Sequence, residues 1–125
     1  MKIFIPYNVP SSKNGKQWTG KYLVWSKAGQ KYRKSTKRHW ESSKIDFRKE
    51  FIKAVSKSQY PVKVSFKFIR GSKHKFDYVN PLQTVLDLMV EFGWIADDNA
   101  DIILPVFEQY EYNKNNPGVW IEILK

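Results

Sequence analysis

Residues 61–101 read PVKVSFKFIRGSKHKFDYVNPLQTVLDLMVEFGWIADDNAD, and the fold turns on how this stretch divides. After Pro61, strict alternation predicts a strand. It puts Val62, Val64, Phe66 and Phe68 on a core face and Lys63, Ser65 and Lys67 on the other. Beyond the basic connector Arg70-Gly71-Ser72-Lys73-His74-Lys75 the period changes, and Leu82, Val85, Leu86, Met89 and Phe92 recur at helical spacing. Asn80-Pro81 has the order of an N-cap and a first-position proline, and Gly93 stands where a helix takes a left-handed residue. A strand is therefore followed by a helix. Gln83 and Asp87, four residues apart, share that helix's outer side.

Working outward, Lys2-Ile3-Phe4-Ile5 forms a short strand stopped by Pro6, and VPSSKNGKQWTGK (residues 9–21) reads as a loop before a short strand at Tyr22–Trp25. A helical segment runs from an N-cap at Ser26 to about Lys57, with breaks allowed at Gly29 and at Ser42-Ser43. Its apolar stripe is Tyr32, Thr36, Trp40, Phe47, Phe51 and Val55, and lysines and arginines cover the rest. Downstream, Ile102 to about Tyr112 and Val119 to Leu124 are strand-like, joined by NKNNPG. The order predicts an α+β fold: a small mixed β-sheet with two main helices packed on one face, as a single domain over residues 1–125.

The chain is 42% hydrophobic and 16% aromatic, enough to build one core, and it has no cysteine. That excludes a disulfide scaffold and a cysteine-ligated zinc and suits a reducing compartment. Neither a signal peptide nor a membrane span is read from the sequence, so a soluble, cytoplasmic protein without a membrane partner is expected.

Charge is divided unevenly. Residues 1–75 carry 20 Lys/Arg against 3 Asp/Glu, whereas residues 76–125 carry 2 against 9, within an overall +10. The basic part suits a phosphate backbone, or serves only as a solubilising surface. The acidic part holds five of the six aspartates: Asp77, Asp87, Asp97, Asp98 and Asp101. Phosphate would repel such a cluster unless a cation sat between them.

Two functions fit those aspartates. Asp77 can offset a helix dipole while Asp97-Asp98-Asn99 forms a polar turn. Alternatively Asp77 and Asp98 bind Mg²⁺, which accepts one to three carboxylates when phosphate and water supply the remaining ligands, and which suits a nucleic-acid hydrolase. A helix of about twelve residues is roughly 18 Å long, so the two can meet only if the chain after Gly93 turns back, with Trp94-Ile95 in the core. Asp97, Asn99, Asp101 and Glu108 match positions of a calcium loop, but Ile102 replaces its required glycine. His39 and His74 are the only histidines, and no nucleophile triad, P-loop or dinucleotide fingerprint is present.

In order and spacing, Asp77, Asn80, Asp87, Gly93, Asp97 and Asp98 resemble the core motif of the RusA family of phage and prophage Holliday junction resolvases. Pro10-Ser11-Ser12-Lys13-Asn14 resembles that family's proline-serine-asparagine loop, and Gly29 to Arg33 resembles its Gly-x-x-Tyr-Arg helix entry. The resemblance implies a homodimeric nuclease that nicks four-way junctions with Mg²⁺ or Mn²⁺, in recombination and repair in the cytoplasm of a bacterial host. It assigns metal binding to Asp77 and Asp98, with Asp97 and Asn80 beside them in the catalytic set. Val79 and Gln83 depart from it, standing where the family has a second aspartate and a lysine. Asn14, Lys16, Lys21, Lys27, Arg33, Lys37, Lys73 and Lys75 are the expected DNA contacts, and Trp18 or Tyr22 could stack at an opened branch point. Junction binding without cleavage, or cleavage of RNA or single strands, are the alternatives.

Overall fold

The strand that follows Pro61 is the centre of the sheet. In this computed structural model, which describes residues 2–11, 16–18, 20, 23–41, 45–57 and 61–124, ten elements follow in order. They are β1 (Lys2–Pro6), β2 (Lys16–Trp18), β3 (Leu23–Trp25), α1 (Lys27–Glu41), α2 (Ile45–Lys57), β4 (Val62–Arg70), α3 (Val79–Glu91), β5 (Ile103–Phe107), β6 (Glu111–Tyr112) and β7 (Gly118–Ile123). The main sheet runs β1-β7-β4-β5, with β6 also on β4. β5 and β6 lie parallel to β4, and β7 lies antiparallel to both β4 and β1. This is the α+β fold with a mixed sheet that the sequence predicts.

Cross-strand pairing puts Ile3 opposite Ile121, Ile121 opposite Phe66, and Val119 opposite Phe68. Those residues share one face, which joins Tyr32, Trp40, Phe51, Val85, Leu88 and Met89 of the helices in a single buried core. The opposite face keeps a half-buried Phe4–Trp120 pair and the exposed Lys63. Alternation is incomplete there: Ser65 and Ile69 are also buried, because β4 is flanked on both edges and its neighbours shade them.

Several boundaries differ from the sequence reading. A strand, β2, lies inside the expected 9–21 loop and pairs with β3. The 26–57 helix is two helices, with residues 42–44 outside the described set, while Gly29 is buried in α1 without breaking it. Ser26 does cap α1, its Oγ accepting the Gly29 N–H at 3.2 Å. α3 starts at Val79 rather than after Asn80, with Tyr78 at the cap position and no side-chain cap. Asn80 donates its N–H to the Asp77 carbonyl at 3.0 Å, so it lies within the first turn, and Pro81 still falls where a missing N–H costs no helical bond. The expected Ile102–Tyr112 run is divided into β5 and β6.

Pro105 stands in β5 for a definable reason. Val62 donates to the Ile102 carbonyl and Glu108 to the Phe66 carbonyl. In a parallel ladder those bonds turn the N–H positions of Ile103, Pro105 and Phe107 away from β4, so proline removes a donor only from the open edge.

Candidate active site

The end of α3 decides where the acidic residues go. Gly93 takes φ 77°, its N–H reaches the Val90 carbonyl at 3.1 Å, and the Trp94 N–H reaches the Met89 carbonyl at 2.8 Å. These two bonds make a Schellman motif, which stops the helix and reverses the chain. Trp94 then drops into the core at 1% exposure, and Ile95 is buried beside it. Its indole Nε1 donates to the Trp40 carbonyl at 2.8 Å, and its ring lies 5.3 Å from that of Trp40 and 5.5 Å from that of Phe51. Trp40 is itself fixed, its Nε1 donating to Thr36 Oγ1, whose hydroxyl donates to the Tyr32 carbonyl. The polar turn is thus hung from α1 through two tryptophans.

The consequence appears at Asp98. Gln83 Nε2 donates to Asp98 Oδ2 at 3.0 Å and to Asp87 Oδ1 at 2.8 Å. Gln83 precedes Gly93 by ten residues, about 15 Å of helix axis, so the return undoes most of the length of α3. One amide nitrogen holds two carboxylates together. Asp97 faces a different network: Asn99 Nδ2 donates to it at 3.0 Å and the Asp98 N–H at 2.9 Å. Those hydrogen bonds hold the Asp97 carboxyl below its usual range.

At the start of α3, Asp77 and Asn80 line a cleft of about 780 Å³ together with Arg70, His74, Lys75 and the Asn8–Ser11 loop. The loop is pinned on both sides. Asn8 Oδ1 accepts the Gly71 N–H at 2.8 Å, and the Thr84 hydroxyl donates to the Pro10 carbonyl at 2.9 Å. Tyr7, at φ 79° with its N–H on the Pro117 carbonyl, turns the chain from β1 into this loop. The Arg70 guanidinium lies 4.3 Å from the Phe76 ring centroid, and burial pulls it below its ordinary pKa. Among the described residues, no ion pair joins Asp77 to Arg70, His74 or Lys75.

The expected site residues are distributed as follows. Asp77, Asn80 and Lys75 line the cleft, and Asp98 reaches α3 at Gln83, three residues past Asn80 or about 4.5 Å along the axis. Arg33 is engaged by Glu91, with Nε 2.7 Å from the carboxylate, and Lys37 pairs with Glu41 at 3.5 Å. The Lys73 ammonium lies 5.0 Å from the Tyr112 ring centroid, and Lys27 is exposed at the start of α1. Lys16 and Trp18 belong to β2; Asn14, Lys21 and Tyr22 lie outside the described residues. Three contributors were not singled out from sequence: Arg70, treated only as part of a basic connector, Asn8, and Gln83 as a bridge between carboxylates. Their roles depend on contacts 63 residues apart for Asn8 and 15 apart for Gln83, which no local pattern encodes.

Asp77, Asp87 and Asp98 offer hard oxygen donors of the kind magnesium and manganese take. Among the described residues no three acidic, histidine or cysteine side chains gather closely enough to hold a metal by themselves. A divalent ion here would draw its remaining ligands from water and phosphate, which suits magnesium. No protein-family model matches the chain, and no curated protein matches its sequence.

Proposed function

We propose that this protein is a RusA-type, metal-dependent endodeoxyribonuclease acting on four-way junctions and related branched DNA. The observation that carries the reading is the return of Asp98 to Gln83, on the same helix whose first turn sets Asp77 at the rim of a basic cleft. Asp77 and Asp98 are the proposed ligands of Mg²⁺ or Mn²⁺, which would polarise a phosphate and activate water there. Asp87 is tied to Asp98 through Gln83 and adds negative charge in place of the ligand that Val79 lacks. Asn80 and Asp97 flank the pair. His74 and Lys75 neutralise and position the DNA backbone, and Lys16, Lys27 and Lys73 extend the contact. A homodimer, working in the cytoplasm of a bacterial host in recombination and repair, belongs to the same proposal.

The test is cleavage of a four-way junction with and without divalent metal. Asp77→Asn and Asp98→Asn are expected to lose about 10²-fold or more in cleavage rate, the scale of a lost electrostatic stabiliser, while junction binding survives. Normal cutting by both variants would overturn the assignment.

A second reading, junction binding without cleavage, is favoured by Val79 and Gln83. Val79 is 63% exposed at the first position of α3, and the Gln83 amide already sits between Asp87 and Asp98. On that reading the wild type does not cut, and Val79→Asp with Gln83→Lys creates cleavage.

A further inference from the structure

Arg70 is the last residue of β4, and its place is set by the sheet rather than by a loop. It pairs with Tyr112 of β6, and its carbonyl accepts the Asn113 N–H at 2.9 Å. Its guanidinium packs on Phe76, yet among the described residues its Nε is buried without a hydrogen-bond partner and no carboxylate pairs with it. Nε is shut away from solvent, so an incoming anion would meet the guanidinium where Arg70 lines the cleft rather than at Nε itself. A partly desolvated cation with no acid beside it is costly to keep, and one retained at a cleft wall suits an anion. Arginine's planar fork matches phosphate oxygens two at a time, and a ring beneath it fixes the plane. Lysine at the same position would be a mobile point charge.

We infer that the cleft contains a phosphate subsite centred on the Arg70 guanidinium, held flat by Phe76 and flanked by His74 and Lys75, which takes a backbone phosphodiester of nucleic acid. The subsite rests on the proposed nuclease reading only for the source of the phosphate; the anion chemistry stands on the geometry of Arg70. The subsite sits beside Asp77 in one cleft, so a phosphate bound at Arg70 fixes where the neighbouring strand passes the carboxylates. Arg70 is thereby a positioning residue.

The test uses the full chain without divalent metal, so cleavage plays no part in the outcome. The Arg70 Nε–H signal is followed by NMR during titration with inorganic phosphate and, separately, with a junction oligonucleotide. Saturable movement with both, at lower concentration for the oligonucleotide, is expected. In parallel, the slope of log K against log salt for junction binding should become shallower by about one unit in Arg70→Gln, the loss of one phosphate contact. Arg70→Lys should keep the wild-type slope within half a unit but bind several-fold more weakly, because it keeps the charge and loses the fork. An unmoved Nε–H signal, or an unchanged slope in a folded Arg70→Gln, overturns the subsite. Movement with inorganic phosphate that the oligonucleotide does not compete away overturns the backbone assignment. If the subsite is found but metal and junction together give no cleavage, the nuclease reading fails and the subsite stands.

Discussion

Asp98 reaches Gln83 because Trp94 is locked under Trp40 and Phe51, whereas Lys31, Lys34 and Lys53 project from their helices into water. The acidic side of the molecule is positioned by the core and by short hydrogen bonds. Much of the basic side is positioned by the helices that carry it and nothing further. A metal ligand needs placement to a fraction of an ångström, so it must be tied to packed elements. A phosphate-backbone contact works through charge over several ångströms and tolerates a mobile lysine. Some basic residues are held by a side-chain partner as well: Arg33 by Glu91, Lys37 by Glu41, Lys67 by Glu111, Arg70 by Phe76 and Lys73 by Tyr112.

The contrast is broken most severely at Trp94. Trp94→Ala should cost about 3–5 kcal/mol in urea unfolding, the range for an aromatic removed from a core. It should also free the Asp97–Asp98 turn, read as loss of the Gln83 side-chain amide protection. Tyr32→Phe probes the same support with opposite sign. The Tyr32 hydroxyl is buried without a partner among the described residues, and burial raises its pKa, so deleting it should raise stability by about 1 kcal/mol. A loss of stability would show that the hydroxyl has a role that the contacts do not reveal.

On the basic side the effects are smaller. A double-mutant cycle on Arg33 and Glu91, each about one-third exposed, should give a coupling of about 0.5–1 kcal/mol that shrinks in salt. Lys34→Ala should stay within about 0.5 kcal/mol of wild type while weakening junction binding at low salt. The smallest effect concerns pH. Asp97 is depressed in the folded chain, so its contribution is present above the ordinary carboxylate pKa and lost as pH falls through the lower, folded value. Asp97→Ala should therefore differ from wild type in thermal unfolding near neutral pH and converge with it in acid.

Much of the framework was legible because it is periodic. The alternation of Val62 to Phe68, the apolar stripe of α3 and the Gly93 stop are local patterns, and each maps to a physical element. The start of α3 was misread because Asn80-Pro81 fits a cap equally well two residues late, and the helix instead begins on uncapped Tyr78. β2 was missed because its Gly- and Lys-rich surroundings read as loop; only pairing with β3 makes it a strand. The Asp98 return was legible as a condition, since a buried Trp94 was required for it, but the partner Gln83 was not. Arg70 lay beyond reach, because its want of an acidic partner among the described residues depends on which distant segments the fold brings beside it.

Under the proposed function, Asp77 and Asp98 serve one divalent ion. Mn²⁺ titration of the metal-sensitive carboxyl carbon signals tests it most directly, in the wild type and in Asp98→Asn. A shared ion should broaden the Asp77 and Asp98 signals together with a single midpoint, and Asp98→Asn should shift the Asp77 midpoint to higher Mn²⁺. Separate midpoints, or an Asp77 response untouched by Asp98→Asn, would contradict it.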